Sequence, residues 1–119
     1  MKNIETQQLI ELIDKFTQER DWEQFHSPKN LSMALSVESS ELLEIFQWMK
    51  EEDSLLVAQD PETLIRVEEE LADIFYYLLR LSVKTKIDLG EALLKKMKKN
   101  AEKYPVDKVK GSSKKYDQY

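Results

Sequence analysis

Residues 34–46 read ALSVESSELLEIF, an apolar helical stripe with a carboxylate set into it. Leu35, Leu42, Ile45 and Phe46 recur at helical spacing, yet Glu38 falls among them and Glu41 follows three residues on. At about 100° per residue, Glu38 projects within about 30° of the centre of the stripe formed by Leu31, Leu35, Leu42 and Met49. Glu41 lies on the edge of that stripe and Glu44 points outward. A buried carboxylate without a partner is costly, and residues three apart are neighbours on a helix surface. The stretch therefore calls for a second helix to cover its apolar side and for a proton or cation to reconcile its two acids.

The second helix is written in VEEELADIFYYLLRL, residues 67–81. Leu71, Ile74, Leu78 and Leu81 form one stripe, and Phe75, Tyr76 and Leu79 carry apolar character around it. Glu70 and Asp73 repeat the three-residue spacing along the stripe's edge, with Tyr77 one turn beyond. Glu68 and Glu69 are surplus acids that suit the surface and the helix N-terminal dipole. A short antiparallel connection would set Glu38/Glu41 against Glu70/Asp73, converging four carboxylates. Oxygen-only ligation selects a hard cation, Mg²⁺ first and Mn²⁺ second.

Two further helices complete the pattern. The first covers roughly residues 3–19, with Ile4, Leu9, Leu12, Ile13 and Phe16 on one face, and the link RDWEQFH then carries Trp22 and Phe25. Ser27-Pro28 opens the helix of the first stretch, which the pattern runs to about Lys50, with Glu51, Glu52 and Asp53 as its solvated end. Asp60-Pro61-Glu62 opens the next, to about Lys84. Asp88 with Glu91 starts a fourth helix that ends before Pro105. The expected fold is an all-α four-helix bundle over residues 1–104, followed by an extended tail, 105–119, docked on the bundle or a neighbouring subunit. The 67–81 helix is apolar on more sides than four helices in so short a chain can bury, which predicts a homo-oligomer.

Composition narrows the function. A chain of 119 residues with 41% apolar content suits a single domain held by packing alone. No cysteine is present, which removes disulfides, thiolate metal sites and cysteine nucleophiles, and fits a reducing cytoplasm. A formal charge of −5 argues against a nucleic-acid partner, although Lys95–Lys115 is locally basic. No apolar run reaches membrane length. The one histidine, His26, lies outside the acidic helices and beside an N-cap, where a structural role is expected; the Glu-x-x-His pairs of a ferritin-like di-iron bundle are missing. With only Gly90 and Gly111, no phosphate-cradling glycine loop is possible.

VESSE (37–41) followed by EELAD (69–73) resembles the ExxE…ExxD arrangement of the all-α, MazG-like nucleoside triphosphate pyrophosphohydrolases. ERDWEQFHSPKNL, ELLEIFQW, EELADIFYYL and KMKKNAEKYP are similar to successive blocks of the dCTP pyrophosphatase branch, and the likeness runs from the first helix into GSSKKY. The resemblance implies Mg²⁺-dependent hydrolysis of a triphosphate to the monophosphate and pyrophosphate. Glu38, Glu41, Glu70 and Asp73 would be metal ligands, with Glu41 the candidate general base. Trp22, Trp48, Tyr77, Asn100 and Tyr104 would surround the nucleoside, with Lys96 and Lys103 near the phosphates. One departure stands out: where animal enzymes of the branch carry a histidine on the first helix, this sequence has Ile13. The expected substrate is a cytosine nucleotide, dCTP or a modified form, and the expected assembly a tetramer rather than a dimer. The alternatives are a hydrolase of broader NTP, dUTP or phosphoribosyl-ATP specificity, and a non-catalytic helical interaction module.

Overall fold

The computed structural model describes residues 4–112. Among them the chain is helical, without a strand: α1 (Thr6–Glu19), α2 (Pro28–Phe46), the single turn α3 (Glu51–Ser54), α4 (Pro61–Thr85), α5 (Leu89–Lys103) and the single turn α6 (Val106–Val109). Short 3-10 turns occupy Glu23–Phe25 and Val57–Gln59. Met1–Lys86 form one compact unit and Ile87–Tyr119 a second. No helix among the described residues is long and apolar enough to cross a membrane.

The helix starts follow their capping chemistry. Ser27 Oγ accepts from the backbone N–H of Asn30 at 3.1 Å, with Pro28 at the first helical position. Asp88 caps α5 in the same way, accepting from the Glu91 N–H at 2.9 Å. Asp60 departs from the pattern, because its carboxylate takes the Thr63 hydroxyl at 2.7 Å and leaves the α4 backbone uncapped by a side chain.

Two boundaries differ from the sequence expectation. Instead of running to Lys50, α2 stops at Phe46, and Lys50 is the N-cap of α3. Glu51, Glu52 and Asp53 thus begin a helical turn instead of ending one, which places three acids at its positive end. After Pro105 the chain forms the turn α6, not an extended run. The end of the anticipated tail, including most of GSSKKY, lies outside the described residues.

In the first unit, α2 packs along α4, and α1 also contacts α4. Among the described residues the buried apolar side chains are few: Leu31 and Ile45 from α2, Val57, and Leu79 from α4. Leu64, Leu71, Phe75 and Leu78, at helical spacing along α4, remain exposed. The apolar surplus read in residues 67–81 is therefore real in the single chain.

Candidate active site

The α2–α4 contact brings the acids together. Glu38, Glu41 and Glu70 each place a carboxylate oxygen within 4.8 Å of the other two. Glu38 and Glu70 are half-buried, and an Oε2 atom on each is shielded from solvent with no hydrogen-bond partner among the described residues. Burial, then the neighbouring carboxylates of Glu41, Glu70 and Asp73, push the Glu38 pKa up to about 7. Glu70 is raised as well, first by burial and then by Glu41 and Asp73. Orphaned acceptor atoms and an all-oxygen donor set fit a hard divalent cation.

Asp73, one turn beyond Glu70, stands outside this tight trio, although its charge acts on both Glu38 and Glu70. It also lines a cavity of about 260 Å³ with Phe16, Trp22, Ala72, Tyr76 and Tyr77. Asp73 thus acts electrostatically on the acidic cluster while lining an aromatic chamber. Burial and the nearby Glu38 charge raise the pKa of Tyr77, keeping its hydroxyl protonated.

The Trp22 wall is set by the end of α1. The N–H of Asp21 bonds to the Gln18 carbonyl and that of Trp22 to the Thr17 carbonyl, with Asp21 in the left-handed region at φ 53°. This is a Schellman closure, in which aspartate is one of the few non-glycine residues that tolerate the positive φ. Such closures bring the residue after the turn back against the last helical turn. Trp22 accordingly meets Phe16 edge to face at 5.7 Å.

A second cluster was not singled out from sequence. Arg80 on α4 is 1% exposed, and donates from Nη1 to Asp14 Oδ1 at 2.6 Å, from Nη2 to Glu23, and from Nε to His26 Nδ1 at 3.1 Å. Lys84 also pairs with Glu23. The hub ties α1 and the Glu23–Phe25 turn to α4, joining the same elements that wall the cavity. The expectation of a structural His26 agrees with this bond. The available signal was Arg80 itself, a charge within the apolar run YYLLRLSV, just as Glu38 interrupts its own stripe.

The remaining candidates are not among the residues of the acidic trio or the cavity lining. Trp48 follows α2, is 90% exposed and does not line the cavity. Lys96, Asn100 and Lys103 lie on α5, with Tyr104 as its C-cap, all in the second compact unit. Ile13 is half-buried, and its carbonyl accepts the Thr17 hydroxyl.

An all-helical fold carrying paired carboxylates beside an aromatic cavity defines a class, and the sequence agrees with it. Residues 33–118 match the MazG-like family, and the chain belongs to that family. It is 45% identical over 102 residues to dCTP pyrophosphatase 1 of Bos taurus and 41% identical over 102 residues to that of Homo sapiens, covering 86% of this chain in each case. The chain spans 60% of the length of these curated relatives. A crystal structure of a pyrophosphatase from Archaeoglobus fulgidus superposes with a TM-score of 0.77 at 37% identity, covering 88% of this chain and 96% of that one.

Proposed function

We propose that this chain is a Mg²⁺-dependent nucleoside triphosphate pyrophosphohydrolase that converts dCTP, or a modified cytosine nucleotide, to the monophosphate and pyrophosphate in nucleotide-pool cleansing. The observation that carries the proposal is Asp73, which belongs electrostatically to the acidic cluster and physically to the aromatic cavity. That juxtaposition suits a substrate with a polyanion at one end and a flat ring at the other. The names of the bovine and human relatives support the base assignment.

Glu38, Glu41, Glu70 and Asp73 would hold the cation. When bound, Mg²⁺ supplies charge neutralisation and Lewis-acid polarisation of the α-phosphoryl group. Glu41 is the exposed member of the trio, so it can take the proton of an attacking water and return it to solvent. Trp22 and Tyr77 offer ring faces to the base. The resemblance adds Trp48, Asn100 and Tyr104 to the nucleoside contacts, and Lys96 and Lys103 to the phosphate contacts.

Residues 1–104 act as the catalytic domain and 105–119 as a docking tail, within a cytoplasmic four-helix homo-oligomer, a tetramer in preference to a dimer. The exposed α4 face of Leu64, Leu71, Phe75 and Leu78 supports self-association, since a thin single-chain core gains most from burying it. A purely structural interaction module would leave the orphaned Glu38 and Glu70 oxygens unexplained.

The direct test incubates the protein with Mg²⁺ and a panel of triphosphates, assaying pyrophosphate separately from orthophosphate. Pyrophosphate release, greatest with cytosine nucleotides, is the expected result. Its absence across the panel, or release of orthophosphate alone, would refute the proposed cleavage.

A further inference from the structure

One residue that lines the aromatic cavity, Tyr76, has a hydroxyl whose hydrogen bonding is already decided. Thr17 Oγ1 lies 2.7 Å from the Ile13 carbonyl oxygen and 2.7 Å from the Tyr76 hydroxyl oxygen. A carbonyl can only accept, so the single Thr17 hydrogen is directed to Ile13. Tyr76 must therefore donate its own hydrogen to Thr17. Thr17 is 0% exposed, so no solvent exchange at its hydroxyl relaxes the arrangement. The Tyr76 oxygen retains acceptor capacity but no hydrogen to offer.

This oxygen belongs to a residue that lines the cavity, whose volume of about 260 Å³ suits a single base more than a whole nucleotide. Phe16 and Ala72 bring no polar side-chain atoms, and Asp73 contributes another acceptor. Tyr77 has a hydroxyl that can rotate to either role, while Trp22 supplies an indole N–H. The fixed contribution of Tyr76 is thus an acceptor.

We infer that Tyr76, its proton held by Thr17, is a specificity-determining residue that favours a base bearing an exocyclic amine over its keto counterpart. The inference rests on the nucleotide reading given above and deepens it. An amine donates to the Tyr76 oxygen, whereas a keto oxygen at the same position meets lone pair with lone pair. In the unsubstituted protein, Tyr76 cannot resolve that conflict by turning its hydroxyl.

The experiment measures kcat/KM for dCTP, dUTP and the triphosphate of pyrimidin-2-one deoxyriboside, which lacks any 4-substituent, at saturating Mg²⁺. The unsubstituted protein should prefer dCTP over the pyrimidin-2-one nucleotide by about fivefold to tenfold, the factor expected from one neutral hydrogen bond. Tyr76→Phe should close that gap mainly through KM for dCTP. Thr17→Val, which frees the Tyr76 proton to turn toward the base, should raise dUTP relative to dCTP by about fivefold. Folding of both variants is checked by circular dichroism, and the substrate-side deletion provides a test that needs no variant. Equal kcat/KM for dCTP and the pyrimidin-2-one nucleotide in the unsubstituted protein would overturn the inference while leaving the pyrophosphohydrolase reading intact. A preference that survives unchanged in folded Tyr76→Phe would do the same. Failure to hydrolyse any triphosphate would remove both.

Discussion

Two clusters of carboxylates gather against helix α4, and they are balanced in opposite ways. At its C-terminal half, Asp14 and Glu23 close around Arg80, with Lys84 on the far side of Glu23, so the chain supplies its own cations. At its middle, Glu38, Glu41 and Glu70 converge without an ion pair among the described residues, leaving two shielded oxygens unpartnered there. Burying like charges costs stability unless something returns it. In the first cluster the return is built in. In the second the chain supplies none, which makes one cluster a staple and the other, on the proposed reading, a receptor.

The largest expected effect breaks the receptor. Glu38→Gln and Asp73→Asn should each lower Mg²⁺-dependent pyrophosphate release by on the order of a hundredfold or more, because each removes a group proposed to hold the cation. The same variants should keep full helical circular dichroism, and Glu38→Gln should melt no lower than the unsubstituted protein in chelator, since it relieves repulsion. Turnover within a few-fold of the unsubstituted enzyme would take that residue out of the site. The staple should respond in the reverse sense. Asp14→Asn combined with Glu23→Gln leaves Arg80 buried without a counter-charge and should lower unfolding free energy by about 3 kcal/mol in urea titrations. Arg80→Met should cost less, since Asp14 and Glu23 are partly exposed and can rehydrate. A larger loss for Arg80→Met would show that its packing outweighs its charge.

The comparison also separates what could be read in the sequence from what could not. The all-helical character, the Ser27 and Asp88 caps and the approach of Glu38, Glu41 and Glu70 all follow from periodicity and local chemistry, so they were legible. The Arg80 hub was not read, although its signal had the same form as that of Glu38. Assigning it requires knowing that α1 and the Glu23–Phe25 turn converge on α4, and contacts spanning 54 to 66 residues leave no local pattern. The end of α2 is not legible in this way, because the apolar period runs on through Met49 while the helix closes at its C-cap, Gln47. Trp22 was recognised by type, but its wall of the cavity depends on a left-handed Asp21 that spacing does not reveal.

The smallest and sharpest prediction concerns pH, where the two clusters pull against each other. Burial and the Arg80 charge lower the His26 pKa, so its neutral form stabilises the fold above about 6.5, and that contribution is lost as pH falls. The Lys84 and Arg80 bonds lower the Glu23 pKa, adding a loss below about 4.5. Glu38 has the opposite sign: with its pKa raised to about 7, the folded state binds more protons than the unfolded one between about 4.5 and 7. Its contribution therefore falls as pH rises through that window. In chelator, the melting temperature of the unsubstituted protein between pH 5 and 7 should reflect both signs, the His26 contribution rising with pH and those of Glu38 and Glu70 falling. Glu38→Gln should strengthen the rise with pH in that window, and Glu23→Gln should reduce the loss below about pH 4.5. Adding Mg²⁺ at pH 7.5 should raise the melting temperature of the unsubstituted protein but not of Glu38→Gln, because a ligand stabilises only the state that binds it. An equal Mg²⁺ shift in both proteins would place the cation elsewhere and remove the distinction between receptor and staple.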